Sequence, residues 1–165
     1  MRSEAMKHFL IMLGALSLAA CEADVSIDAP EPEPVTDAAP AIEWLRAPGT
    51  ENLDLPFSPA VRVGNTLYLS GVLGIVPGTR NLAAGGILGE TQQALENIST
   101  TLENFGSSMD NVVKCTVFLA DIREWAAMNE IYKTFFPNKP ARSAVGISGL
   151  GLSARVEIEC IAVID

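Results

Sequence analysis

Two residues could anchor chemistry in this chain, Arg142 and Glu157. Arg142 stands in Pro140-Ala141-Arg142-Ser143-Ala144, just after a proline and at the mouth of an apolar strand. A planar guanidinium placed there can hold both oxygens of a carboxylate at once. Glu157 stands in Ala154-Arg155-Val156-Glu157-Ile158-Glu159-Cys160. Strand alternation puts Glu157 and Glu159 on one face, with Val156, Ile158 and Cys160 on the other. A carboxyl group in a half-buried hollow is pushed up in pKa by desolvation and pulled back by a nearby Arg, which suits it to proton transfer. By residue type alone, Arg142 reads more readily as an ordinary surface or interface Arg, and the two acids as a solvated strand face.

Composition narrows the alternatives. The only histidine is His8, in a segment that reads as a removable leader. A mature chain without histidine cannot build a Ser-His-Asp triad or a His-ligated metal site. The formal net charge is -9 over 165 residues, and Lys and Arg nowhere form a run. That disfavours nucleic acid as a partner, because phosphate neutralisation needs a basic face. Cys115 and Cys160 both sit in apolar strands. Buried free thiols acting as small hydrophobes are favoured over a disulfide, although export would permit one. Gly146-Ile147-Ser148-Gly149-Leu150-Gly151 lacks the spacing and following helix of a phosphate loop and reads as a hairpin turn.

The elements that must position these residues follow from pattern. Val61 to Ser70 reads as a hairpin around Gly64-Asn65. A glycine-rich connection leads to a helix over 87–105, with Leu95, Ile98, Leu102 and Phe105 on one face and Gly106 as its stop. Asn111 to Ala120 reads as a strand. Asp121 and Glu124 form a capping-box pattern ahead of a second helix whose stripe is Trp125, Met128, Tyr132 and Phe135. Strands over 141–148 and 154–164 close the chain as a second hairpin. The fold class is α+β, a mixed sheet with two helices on one face. The other face is left bare, which usually means an oligomer.

The N-terminus reads as an address. Phe9 to Ala20 is an apolar or small-residue stretch too short to span a bilayer. It ends in Leu18-Ala19-Ala20-Cys21, which resembles a bacterial lipoprotein cleavage box. Met6 would also serve as a start. The domain plan is a signal peptide over 1–20, a lipidated Cys21 opening an acidic proline-rich tether over 21–45, and one folded domain over 46–165. Glu22 to Ala41 carries four prolines, six acids and no basic residue, a composition that stays extended and buries no core. The expected location is the bacterial envelope, lipid-anchored and periplasm-facing, with Glu22 after the cysteine favouring the outer membrane.

In this order the pieces resemble the reactive intermediate deaminase (Rid) family, the RidA subgroup, over roughly Leu55 to Ile164. The most specific stretch is Pro140-Ala141-Arg142-Ser143, followed by Val156-Glu157-Ile158-Glu159 and Ile161-Ala162-Val163. Leu67-Tyr68-Leu69-Ser70-Gly71, Lys114 to Leu119 with Asp121, and Met128-Asn129 ahead of Tyr132 add to it. The resemblance implies a chorismate-mutase-like fold, a homotrimer with clefts between subunits, and no cofactor. It implies hydrolysis of 2-imino acids to 2-keto acids and ammonia. It matches Arg142 to the residue that holds the substrate carboxylate and Glu157 to the acid that activates water. Ser70, Gly71 and Asn129 match cleft-lining positions.

The chain also departs from the family pattern. Phe57 stands where a Tyr is frequent, Val72 where a Gln is common, and Ala144 where a Cys is often found, so the cleft should be greasier and its substrate bulkier. These losses, with the envelope address, keep open a second reading: a non-catalytic binder of small carboxylates, or a scaffold, using the same cleft.

Overall fold

The computed structural model describes residues 39–48 and 54–164. The signal peptide over 1–20, the lipidation site Cys21 and most of the tether lie outside the described residues. No helix among the described residues is long and apolar enough to cross a membrane.

Among the described residues, seven strands form one mixed sheet. They are β1 (Ile42–Leu45), β2 (Ala60–Val63), β3 (Thr66–Leu69), β4 (Val72–Leu73), β5 (Val112–Leu119), β6 (Ala141–Gly146) and β7 (Val156–Val163). Their spatial order is β1-β2-β3-β7-β5-β6, with β4 pairing β7 beyond the end of β3. Helices α1 (Gly86–Asn104) and α2 (Trp125–Phe135) supply the other layer. Leu95, Ile98 and Leu102 are fully buried against Leu67, Val117, Val156 and Ile158 of the sheet. Each such side chain contributes on the order of 1.5–3 kcal/mol by leaving water. The expected hairpin is present, with Val63 opposite Thr66 across a turn in which Gly64 takes φ 60, a conformation that glycine adopts without steric penalty.

The bare face expected from the pattern is also present. Trp44, Val61, Tyr68 and Ile161 lie in register across four strands, opposite the helix layer. Trp44 and Tyr68 are 69% and 47% exposed.

Four expectations need correction. The last two strands are not a hairpin: β5 lies between them, parallel to β6 and antiparallel to β7. β5 is strongly apolar, and a place inside the sheet satisfies both of its backbone edges. The chain therefore wraps round its end, with Ile147 N–H donating to the Leu119 carbonyl and Ala120 N–H to that of Arg155. Residues 42–45, assigned to the tether, form β1 and pair with β2, because Ile42 and Trp44 alternate with Glu43 in a strand pattern. The second helix begins at Trp125. Asp121 instead caps a single 3-10 turn over 122–124 by accepting from Arg123 N–H at 2.9 Å, and Glu124 binds Arg155. Finally, Cys115 and Cys160 are joined as a disulfide. The β5–β7 register sets them directly opposite each other, Cα atoms 4.1 Å apart.

Candidate active site

Glu157 lies on the half-buried, helix-free side of β7. It closes a hollow of about 340 Å³ with Phe57, Ser70, Gly71, Leu73 and Gly151. The sheet opens for it locally. β3 pairs β7 at Ile161 and beyond, β4 pairs it at Glu157 and Ile158, and Ser70-Gly71 bridge the gap between the two ladders. At Gly71 a Cβ would fall 1.9 Å from a Glu157 carboxyl oxygen. The missing side chain is therefore what gives the carboxyl its place. Burial pushes the Glu157 pKa above its ordinary value, and Glu159 on the same face pushes it further. A carboxyl so placed takes up a proton more readily than an ordinary surface acid.

Ser70 has a narrower part than the sequence suggested. Its hydroxyl donates to the Ser58 carbonyl at 2.7 Å, so its proton holds the loop that carries Phe57. Phe57 itself is 56% exposed at the edge of the hollow.

Arg142 is built into a different hollow, of about 490 Å³, together with Asn129, Tyr132, Phe136 and Pro140. One guanidinium nitrogen donates to Asn129 Oδ1 at 2.6 Å. The guanidinium carbon lies 4.6 Å from the centre of the Tyr132 ring and 5.8 Å from that of Trp125. Trp125, Asn129 and Tyr132 recur at helical spacing along α2, so one helix face carries the whole cradle. Such stacking holds a cation on the ring face without neutralising it. Among the described residues no carboxylate lies within 4.0 Å of Arg142, whereas Arg62, Arg123 and Arg155 each have an acid. This half-buried guanidinium is held by a neutral amide and two ring faces but by no anion among the described residues, and a carboxylate or phosphate ligand would complete it.

Arg142 and Glu157, the two residues singled out in the sequence, do not share a hollow within a protomer. Arg142 stands in register with Cys115, whose side chain points into the core beneath the helices, while Glu157 stands in register with Phe118 on the opposite face. The structure thus gathers Phe57, Ser70, Gly71 and Glu157 at one place and Arg142 with Asn129 at another. The stacking role of Tyr132 was not seen in the sequence, where it counted only as part of an apolar stripe. The available signal was its position three residues after Asn129.

The Endoribonuclease L-PSP family model matches residues 50–164, and the chain belongs to that family. A mouse protein named 2-iminobutanoate/2-iminopropanoate deaminase is 46% identical over 109 residues, covering 66% of this chain and 81% of its own. The human protein of the same name is 42% identical over 123 residues, 74% of this chain and 88% of its own. Among solved structures, yeast YEO7 superposes with a TM-score of 0.70 at 34% identity, covering 76% of this chain and all of that one. E. coli TdcF with bound serine superposes with a TM-score of 0.64 at 33% identity, covering 75% of this chain and 98% of that one. These similarities establish the α+β fold with two helices on one sheet face.

Proposed function

We propose that this protein hydrolyses 2-imino acids to 2-keto acids and ammonia in a cleft formed between copies of the chain. The single observation that carries the reading is the split site: an anion-seeking guanidinium on one face and a proton-accepting carboxyl on the other, each in its own open hollow. Neither hollow suffices alone. A homotrimer that sets Arg142 of one copy against the Glu157 hollow of the next completes the chemistry, and the uncovered row from Trp44 to Ile161 supplies apolar surface for the contact.

In that arrangement Arg142, steadied by Asn129 and Tyr132, binds the substrate carboxylate and fixes the imine carbon. Glu157 accepts a proton from water as the water adds to that carbon. It returns that proton to the nitrogen of the resulting carbinolamine, then takes the hydroxyl proton as the C–N bond breaks, the carbonyl forms and ammonia leaves. The charged hydrogen bonds at Arg142 contribute roughly 1.5–3 kcal/mol, and general-base assistance contributes a factor of roughly 10²–10⁴. The chain's own residues suffice for these steps, so the proposal includes no cofactor. The deaminase names of the mouse and human relatives support the reaction class.

A nuclease, which the family description names, fits less well, because the chain carries a net charge of -9 and its Lys and Arg nowhere form the run that would follow a phosphate backbone. We place the mature protein in the envelope, tethered through Cys21. The disulfide supports export, since such bonds persist in oxidising compartments.

The test is keto-acid formation from imines generated by an amino-acid oxidase. Added protein should accelerate it, and Arg142→Ala should lose most of that acceleration. If the unaltered protein speeds none of several imines, the hydrolase reading fails. Carboxylate binding that disappears in Arg142→Ala, with no turnover in either protein, would favour the binder instead.

A further inference from the structure

We propose that the Arg142 hollow is shaped for an acid bearing a second negative group, and that Lys139 is the residue that selects it. The inference rests on reading Arg142 as the carboxylate clamp and adds the substrate class: imines of dicarboxylic rather than alkyl amino acids.

Size is the first argument. On one copy alone, the open hollow of about 490 Å³ that Arg142 and Lys139 both line has more room than a small monocarboxylate fills. Charge is the second. Lys133, Lys139 and Arg142 border the hollow and no acid does, in a chain of formal net charge -9. Lys133 is already engaged, its Nζ 2.8 Å from Glu130. Lys139, like Arg142, has no carboxylate within 4.0 Å among the described residues.

Placement is the third argument. Lys139 has φ 53, a left-handed conformation that disfavours a lysine, and it directly precedes Pro140, whose ring restricts the residue before it. Its N–H donates to the Phe136 carbonyl at 3.2 Å, closing the turn that holds it there. Lys139 and Arg142 are three positions apart, and a chain of that length spans at most about 11 Å. A lysine side chain can therefore bring its ammonium within reach of the far end of a short diacid held by Arg142. Phe136, Pro137 and Pro140 give the space between them an apolar floor suited to a methylene spacer. Tyr132, only 6% exposed, borders the same hollow. Its hydroxyl has no hydrogen-bond partner among the described residues, and burial raises its pKa to about 12, so it keeps its proton.

The experiment measures binding of glutarate and of butyrate by calorimetry at low salt, on the unaltered protein and on Lys139→Met. An exposed ion pair of this kind predicts roughly fivefold tighter binding of glutarate, and Lys139→Met should bring the ratio near one while Lys139→Arg keeps it. The proposal is overturned by equal affinities in the unaltered protein, by a preference that survives in Lys139→Met, or by no binding of either acid. A glutarate preference that depends on Lys139 without turnover of any imine would uphold the selection and defeat the hydrolase reading. Turnover of alkyl imines without a glutarate preference would do the reverse.

Discussion

Gly71→Ala separates catalysis from folding at this site. The added methyl would lie 1.9 Å from a Glu157 carboxyl oxygen, whereas ordinary contact begins near 3.4 Å. One of the two must give way by about 1.5 Å. Glu157 moves more easily, because its carboxyl is the free end of a flexible side chain and Gly71 is fixed in backbone between two ladders. The cost to folding is then small. Holding the side chain about 30° off its rotamer costs about 0.5–1.5 kcal/mol, and the loss of glycine's freedom in the unfolded chain returns about 0.4–1 kcal/mol. Net stability should change by less than about 1 kcal/mol. Catalysis should suffer far more, since displacing a reacting group by about 1 Å can cost on the order of 10²-fold. Urea denaturation and oxidase-coupled keto-acid formation, measured on the same preparation, test both halves. Full activity in Gly71→Ala would refute the geometric argument. So would an activity loss that merely tracks unfolding.

Two further outcomes follow from the same structure. Reducing the Cys115–Cys160 bond opens a cross-link between residues 45 apart in sequence. Chain entropy puts its contribution near 4 kcal/mol, so the urea midpoint should fall clearly in reductant, and Cys115→Ala/Cys160→Ala should no longer respond to reductant. Glu157→Gln should abolish turnover yet raise the thermal midpoint at neutral pH. Burial raises the Glu157 pKa in the folded state, so the fold binds that proton more tightly than the unfolded chain does. Stability is then lost as pH rises from the ordinary carboxyl value through the raised one. Glutamine removes that loss, and its advantage should vanish at a pH below both values. An equal gain at all pH values would point to packing instead.

The sequence revealed what depends on local periodicity. Leu95, Ile98 and Leu102 marked α1 because a 3.6-residue repeat is written along the chain, and Gly64-Asn65 marked its hairpin through turn chemistry. Glu157 and Glu159 were correctly placed on one strand face. What escaped was everything fixed by sheet order. Whether Arg142 and Glu157 share a face depends on the parity of β5, the strand between theirs, and neighbouring positions in sequence do not encode it. The Cys115–Cys160 bond escaped for the same reason, since only the β5–β7 register makes the two opposite. Gly71 was identified by family resemblance, but the reason for it, a carboxyl resting where a methyl would be, exists only in three dimensions. Lys139 drew no notice because a lone surface lysine carries no signal until the hollow beside it is known.

The opposed faces of Arg142 and Glu157 have a genetic consequence. In the proposed head-to-tail assembly, a chain with a dead guanidinium position and a chain with a dead carboxyl position should each lack activity, yet mixed assemblies should regain some, because about a quarter of randomly formed contacts pair two intact halves. A chain defective in both positions behaves oppositely. In that proposed assembly each such copy would spoil two clefts, one on either side, so modest expression of such a chain beside the normal one should act as a dominant inhibitor.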